Sequence, residues 1–265
     1  MRIAIVGAGG RMGAEVCRAV AATDDLELVA AVDPQAAGRH LAEVAGIDGP
    51  VGELRIAEHL DVLLDTDVEV AVEFTGPASV GDNLHWLLSH GIHAVVGATG
   101  LSAEQLERAR AAAADGGVNA LVAPNFAVGA VLLMRFAAEA ARVLPHAEIV
   151  ELHHDAKVDA PSGTALRTAE LIAEARTEVP ATPGGDDAHP GARGARHADV
   201  HIHSVRLPGL VAHQEVILGG QGQTLTIRHD SLDRTSFMPG VLLACRGVGD
   251  LDGVVVGLEH LLWPA

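Results

Sequence analysis

Tyrosine is absent from the 265 residues, and the large rings amount to Phe 4 and Trp 2. A core without them has to be assembled from Ala, Val and Leu through many small contacts. Cysteine is nearly absent as well. Cys17 and Cys245 each lie among apolar helical neighbours, which favours buried thiols in a reducing, cytoplasmic compartment over a disulfide. Cations are scarce: 18 Lys and Arg against 35 Asp and Glu leave a formal charge of -17, arguing against general affinity for nucleic acid or anionic membrane. No uninterrupted apolar run approaches the roughly 20 residues that span a bilayer. The apolar start MRIAIVGAGG meets glycines too soon for a signal peptide. In so acidic a chain, an anionic ligand would need cations gathered locally, so clustered cations are informative.

What is present begins with RIAIV at residues 2–6, a β-branched run that stops at Gly7, followed by an Ala-rich helical pattern from Arg11 to Ala22. Glycines stand at Gly7, Gly10 and Gly13, with an additional Gly9. Read strictly, the dinucleotide fingerprint would put its third glycine at Met12, so the spacing here is Gly-x-x-Gly-x-x-Gly. The physical purpose is unchanged: backbone without side chains can approach a pyrophosphate at a helix N-terminus, and Arg11 can add a phosphate contact. A tight turn that binds nothing is the plainer alternative. Asp33, ending the next strand LELVAAVD, is placed to accept from ribose hydroxyls and to repel a 2′-phosphate. Arg39 lies within loop reach, which leaves both nicotinamide cofactors open.

Strand and helix patterns then alternate through VEVAVEF, NLHWLLSHG, IHAVVG, SAEQLERARAAAA and VNALVA. The expectation is a doubly wound parallel sheet of Rossmann type, whose strand ends at residues 74–76, 97–99 and 123–126 form the cofactor edge. After Asn125 the alternation ceases. One amphipathic helix over residues 128–144 leads into HAEIVELHH, VHIHSVRL and a hairpin HQEVILGGQGQTLTIRHD turning at GGQG. These predict a second, α+β domain with a mixed or antiparallel sheet that could also serve assembly. Residues 179–198, with Pro and Gly but no periodicity, predict a loop. Beyond Phe237 the pattern turns helical through GVLLACRGV, and the chain closes with VVVGLEHLL.

The densest chemistry lies in residues 151–165, ELHHDAKVDAPSGTA. His153 and His154 end a strand and point to opposite faces, so the pair is no metal clamp, and no dense ligand spacing surrounds it. Ser162 or Asp159 can cap a helix beginning at Gly163 and Thr164, whose amides then form an anion site one short loop from Lys157. An ordinary capped helix is the alternative.

GAGGRMG, the GATG turn, APNFAVG, ELHHDAKVDAPSGTA, IHSVRLPG and the Arg-x-x-Phe-x-x-Gly at residues 234–240 occur in one order, and together they resemble the dihydrodipicolinate reductase (4-hydroxy-tetrahydrodipicolinate reductase) family of bacterial lysine biosynthesis. The resemblance implies NADH- or NADPH-dependent reduction of 4-hydroxy-tetrahydrodipicolinate (dihydrodipicolinate) to tetrahydrodipicolinate in the diaminopimelate route. It implies His153 as proton donor or acceptor, Lys157 as proton donor, and His154, Gly163 and Thr164 as contacts of the small dicarboxylate. The cofactor would touch Gly7, Ala8, Gly9, Gly10, Arg11, Met12, Asp33, Gly97, Ala98, Thr99, Ala123, Pro124, Asn125 and Phe126. It further implies a nucleotide domain of residues 1–124 and 234–265, a substrate domain of residues 125–233 and a homotetramer; the residue spacing itself predicts no metal site. The chain departs from the family pattern at GATG in place of GTTG and at VAHQEV in place of Gly-x-His-Glu, and residues 179–198 match nothing in it. Two rival functions are a related two-domain dehydrogenase for amino acids or sugars and a dinucleotide sensor that has lost catalysis.

Overall fold

The computed structural model describes residues 1–98, 100–178, 180 and 188–263. Its first elements are β1 (Arg2–Val6), α1 (Arg11–Ala21), β2 (Glu27–Val32), α2 (Leu41–Ala45), β3 (Val70–Glu73), α3 (Val80–Ser89), β4 (His93–Val96), α4 (Ala103–Gly116) and β5 (Ala120–Val122). Next come α5 (Val128–Ala141), β6 (His146–His153), α6 (Gly163–Ala175), β7 (Ala195–His197), β8 (Val200–Arg206), β9 (Ala212–Gly220) and β10 (Gln223–Ser231). The chain ends with α7 (Met238–Gly247), β11 (Val254–Val256) and α8 (Glu259–Leu262). These divide into two compact units, Met1–Phe126 with the segment from Phe237 onward, and Ala127–Ser236.

In the first unit six parallel strands lie in the order β2-β1-β3-β4-β5-β11. The chain runs outward from β1 to β2 and returns to β3 on the other side, so the strand order reverses at β1. This is the Rossmann-type doubly wound sheet, whose carboxyl edge at the reversal is the place for ligands. The shortage of rings is met by registry: Ala30, Ala4, Ala71, Ala94 and Ala120 are successive cross-strand partners. Against that row pack Leu84, Leu87 and Leu88 of α3 and Ala109, Ala112 and Ala113 of α4. Each of the three leucines is fully buried, contributing about 2 kcal/mol. The neighbouring row reads Val32, Val6, Glu73, Val96 and Val122, so one acid occupies a valine position.

β11 pairs in parallel with β5 and returns the C-terminal segment to this sheet. Its three residues are too few to show a strand period in sequence. α7 packs on α1, and Arg246 clasps Asp25 through two hydrogen bonds of 2.8 Å.

The second unit holds a mixed sheet in the order β10-β9-β6-β8-β7, in which only β6 and β8 run parallel. One face is covered by Leu133, Ala137 and Ala141 of α5 and by Ala165, Ala169 and Ile172 of α6, which pack on Ile149, Val200, Ile202, Val216 and Leu218. Strand alternation sends Val150, Leu152, His203, Val205 and Ile217 to the opposite face. The hairpin β9–β10 turns on Gln221 and Gly222, the latter with φ +72°.

One expectation is corrected here. The stretch 179–198 is not loop throughout, because Ala195–His197 forms β7 at the sheet edge, antiparallel to β8. Its two-residue turn is Ala198 and Asp199, with φ of 48° and 59°. Hairpin turns of that handedness usually advertise themselves as Asn-Gly or Asp-Gly, and this one does not. Among the described residues no helix is long and apolar enough to cross a membrane.

Candidate active site

In the first unit the glycine segment is shaped by three close approaches. Gly7 turns the chain at φ +86°, and a Cβ there would meet Phe74 O at 2.8 Å. A Cβ on Gly13 would lie 2.0 Å from Gly7 O, so α1 rests its backbone directly on the turn. One on Gly9 would lie 2.8 Å from Asp33 Oδ2. The amides of Gly7 and Ala8 both donate to Val32 O, at 2.8 and 3.2 Å, and that of Gly10 donates to Gly7 O at 3.1 Å. The first amides of α1, at Arg11 and Met12, have no intrahelical acceptor by helix geometry.

Asp33, just past β2, accepts from Gly9 N and from Gln35 N, each at 2.9 Å. Arg39 pairs with Glu43 at 3.4 Å. The other strand ends converge. Phe74 and Phe126 have ring centroids 5.8 Å apart, and a Cβ on Gly97 would strike the Phe74 ring at 2.2 Å. Ala98, Ala123 and Phe126 are buried, Asn125 is half-buried and Pro124 is exposed. Thr99 lies outside the described residues.

Glu73, at the end of β3, is wholly buried. Burial pushes its pKa up, against hydrogen bonds from Thr75 and Asn83 that favour the charge. Its Oε1 accepts from the Thr75 hydroxyl, from Thr75 N at 3.1 Å and from Asn83 Nδ2 at 3.2 Å.

In the second unit the polar stretch is organised by β6 and the start of α6. Glu151 and His153 sit two residues apart on β6 and therefore on one face. His153 Nδ1 lies 2.5 Å from Glu151 Oε2, while its side chain keeps 15% exposure. His154, past the strand end, is exposed. Lys157 turns back on it, Lys157 N donating to His154 O at 3.1 Å. Lys157 Nζ donates to both carboxylate oxygens of Asp159 at 2.8 Å, which holds the Asp159 carboxyl below its usual range.

The helix start is capped by Ser162, whose Oγ accepts from Ala165 N at 3.3 Å. Asp159, the other capping candidate, is instead the partner of Lys157. Gly163 is exposed, and a Cβ there would meet nothing within 4 Å. Thr164 is half-buried and accepts, through its carbonyl, from Thr168 Oγ1 at 2.7 Å. His153, Lys157 and the first turn of α6 thus share one connection of the chain, and together they offer a proton carrier, a cation and helix-end amides. Among the described residues no group of three or more His, Cys, Asp or Glu could hold a metal ion.

Two residues of this cluster carried no role in the sequence reading. Arg206, on β8, grips Glu151 with both terminal nitrogens, at 2.8 and 2.9 Å, and donates to Asp159 O at 2.6 Å. Burial opposes charge on Glu151, but hydrogen bonds from His153, Arg206 and Ser204 outweigh it and hold the pKa at about 2. The only signal in the sequence was the period-two spacing of Glu151 and His153. Arg206 is 55 positions away from Glu151 and becomes its partner only through the β6–β8 pairing, in which His153 stands opposite Arg206.

Known proteins match both halves. The family model described as dihydrodipicolinate reductase, N-terminus, matches residues 1–126 and that described as dihydrodipicolinate reductase, C-terminus, matches residues 129–262. The 4-hydroxy-tetrahydrodipicolinate reductase of Mycolicibacterium smegmatis is 51% identical over 266 residues, 99% of each chain. That of Listeria welshimeri is 48% identical over 268 residues, covering 99% of this chain and 100% of its own. Among solved structures, a dipicolinate-bound dihydrodipicolinate reductase from Paenisporosarcina sp. TG-14 superposes with a TM-score of 0.87 at 41% identity over 98% of both chains. A probable dehydrogenase from Thermotoga maritima, at 13% identity and TM-score 0.65, shares the fold alone. Matched in both halves and along nearly its whole length, the chain belongs to the dihydrodipicolinate reductase family.

Proposed function

We propose that this chain reduces 4-hydroxy-tetrahydrodipicolinate (dihydrodipicolinate) to tetrahydrodipicolinate with NADH or NADPH, in the diaminopimelate route to lysine. His153 is the proton donor and acceptor, Lys157 a second proton donor, and His154, Gly163 and Thr164 hold the substrate. The observation that carries these roles is the single short connection bearing His153, Lys157 and the α6 N-terminus. The dipicolinate bound to the relative from Paenisporosarcina supports a flat dicarboxylate as the ligand. The glycine segment fits a dinucleotide: Gly9 and Gly13 stand where any Cβ would collide, and the first turn of α1 offers amides to a pyrophosphate. Gly7, Ala8, Gly9, Gly10, Arg11, Met12, Asp33, Gly97, Ala98, Thr99, Ala123, Pro124, Asn125 and Phe126 are the residues assigned to it. A bound reduced nicotinamide supplies the hydride.

The protein's own work is electrostatic and prototropic. The amides at Gly163 and Thr164 hold one carboxylate and orient the ring. The Lys157 ammonium stabilises negative charge as it develops, once the substrate carboxylate takes over the position that Asp159 fills in the free protein. The His153 imidazole delivers a proton to the reduced ring, which a side chain of this type can do near neutrality. Lys157→Met tests the assignment: kcat falls by roughly 10²-fold or more while NADH binding is unchanged. Undiminished turnover would remove Lys157 from the mechanism.

The domain reading pairs residues 1–124 and 234–265 with the cofactor and residues 125–233 with the substrate. A homotetramer assembled through the uncovered sheet face is supported by Val150, Leu152, Val205 and Ile217, half-buried side chains that no helix of this unit covers among the described residues. A cytoplasmic location is supported by Cys17 and Cys245, both free and buried, with burial pushing each thiol up to about 12.

A further inference from the structure

Glu151 is wholly buried and is nevertheless an ionised carboxylate surrounded by donors. Oε2 accepts from Arg206 Nη1 at 2.9 Å and faces His153 Nδ1 at 2.5 Å, and Oε1 accepts from Arg206 Nη2 at 2.8 Å and Ser162 N at 3.2 Å. An ionised carboxylate can only accept hydrogen bonds. Nδ1 of His153 must therefore carry a hydrogen whether the ring is neutral or protonated, which leaves Nε2 as the nitrogen that exchanges protons.

The same carboxylate reaches the rest of the site. Ser162, whose amide it accepts, is the cap of α6, and Arg206, which it anchors, donates to Asp159 O at 2.6 Å. Asp159 in turn holds Lys157. Charged groups near His153 come from three elements: Glu151 on its own strand, Arg206 opposite on β8, and Lys157 with Asp159 on the connection that follows. Its β9 partner is Ala212, which bears no charge, and the neighbouring His213 is committed to Asp230 at 2.6 Å.

We propose that Glu151 is the positioning residue of the reaction: it fixes His153 with Nε2 toward substrate, and through Arg206 and Ser162 sets the loop bearing Lys157 and the anion-binding helix start. The inference rests on the reading of His153 as the proton donor. In that step the Nε2–H bond breaks, its proton forms the new bond to the reduced ring, and the electron pair stays on Nε2. Solvent then returns a proton to Nε2.

The experiment compares wild type, Glu151→Gln, His153→Gln and the double variant by kcat and KM at one pH, with NADH affinity as a control. Glu151→Gln is expected to lower kcat by about 10²-fold or more, as loss of a tautomer-fixing carboxylate does elsewhere. In the His153→Gln background the second change should cost less than it does in wild type, because the part of its effect that runs through the imidazole is already lost. Undiminished kcat in Glu151→Gln, or full additivity in the double variant, overturns the proposal. If His153→Gln alone is harmless, it is the reading of His153 as donor that fails instead. Should Glu151→Gln not fold, NMR of wild-type protein carrying isotope-labelled histidine decides. The resonance lost in His153→Gln must show a protonated Nδ1 and a bare Nε2 at alkaline pH, and the opposite tautomer overturns the assignment.

Discussion

Replacing Asp33 by Asn should change which nicotinamide cofactor the protein prefers. The substitution keeps shape and one acceptor oxygen, so the 2.9 Å bond from Gly9 N can persist and the glycine segment stays in place. What changes is charge. Two unit charges about 4 Å apart repel by roughly 1 kcal/mol in water and roughly 4 kcal/mol at the effective permittivity of a protein surface. Asp33 is only half-buried and salt screens it, so the lower end applies, about 1.4 kcal/mol or tenfold in Kd. Arg39, the cation that could offset this repulsion, is paired with Glu43 at 3.4 Å. Wild type should thus bind NADPH about tenfold more weakly than NADH, and Asp33→Asn should bring the ratio near one, chiefly by tightening NADPH. Calorimetric titration with both cofactors measures this, and added salt should narrow the wild-type gap. Equal affinities in wild type, with a ratio unmoved by the substitution, would refute the reasoning and show that a cation near the 2′-position dominates.

The remaining predictions concern stability and assembly. Glu73 has its folded pKa raised from 4.5 by burial, so its contribution to folding is complete below about 4.5, the unfolded value, and is lost as pH rises through the folded value. Glu73→Gln should therefore gain stability relative to wild type as pH rises above that point, read as the difference between urea midpoints across a pH series; a difference independent of pH would contradict the raised pKa. Ile217→Asp, on the sheet face that no helix of the second unit covers among the described residues, should break the proposed tetramer into smaller species by light scattering, and a wild-type monomer would end that proposal.

Much of the first unit was legible because parallel strands buried on both faces read as unbroken apolar runs. RIAIV, VEVAVEF and IHAVVG are such runs apart from Arg2, Glu69, Glu73 and His93, and each stops at a residue that begins a turn. The chemistry of α6 was legible for a similar local reason, since Ser162 caps the helix it precedes, and a cap acts within four residues. What escaped was either too short or formed by turns with ordinary side chains. β11 spans three residues, below any periodicity. β7 depends on Ala198 and Asp199 at positive φ, where Ala has no chemical reason to be and costs roughly 1 kcal/mol.

The site divides along the same line, and the division explains why its hub was invisible. His153, Lys157 and Gly163 lie within one connection, so their proximity follows from sequence distance alone. Glu151 and Arg206 are joined by register: β8 lies parallel to β6 with His153 opposite Arg206 and Glu151 opposite Ser204. A slip of one residue would turn the guanidinium to the opposite face and leave a buried carboxylate with only His153 and Ser162 N as partners. Burying an ionised carboxylate without a matching cation costs several kcal/mol, so the Glu151–Arg206 pair also selects the register that builds the site. Nothing in the residues of either strand taken alone reports that choice. On the proposal above, folding specificity and proton transfer depend on the same two hydrogen bonds, so a variant made to probe catalysis there must be read with its stability measured beside it.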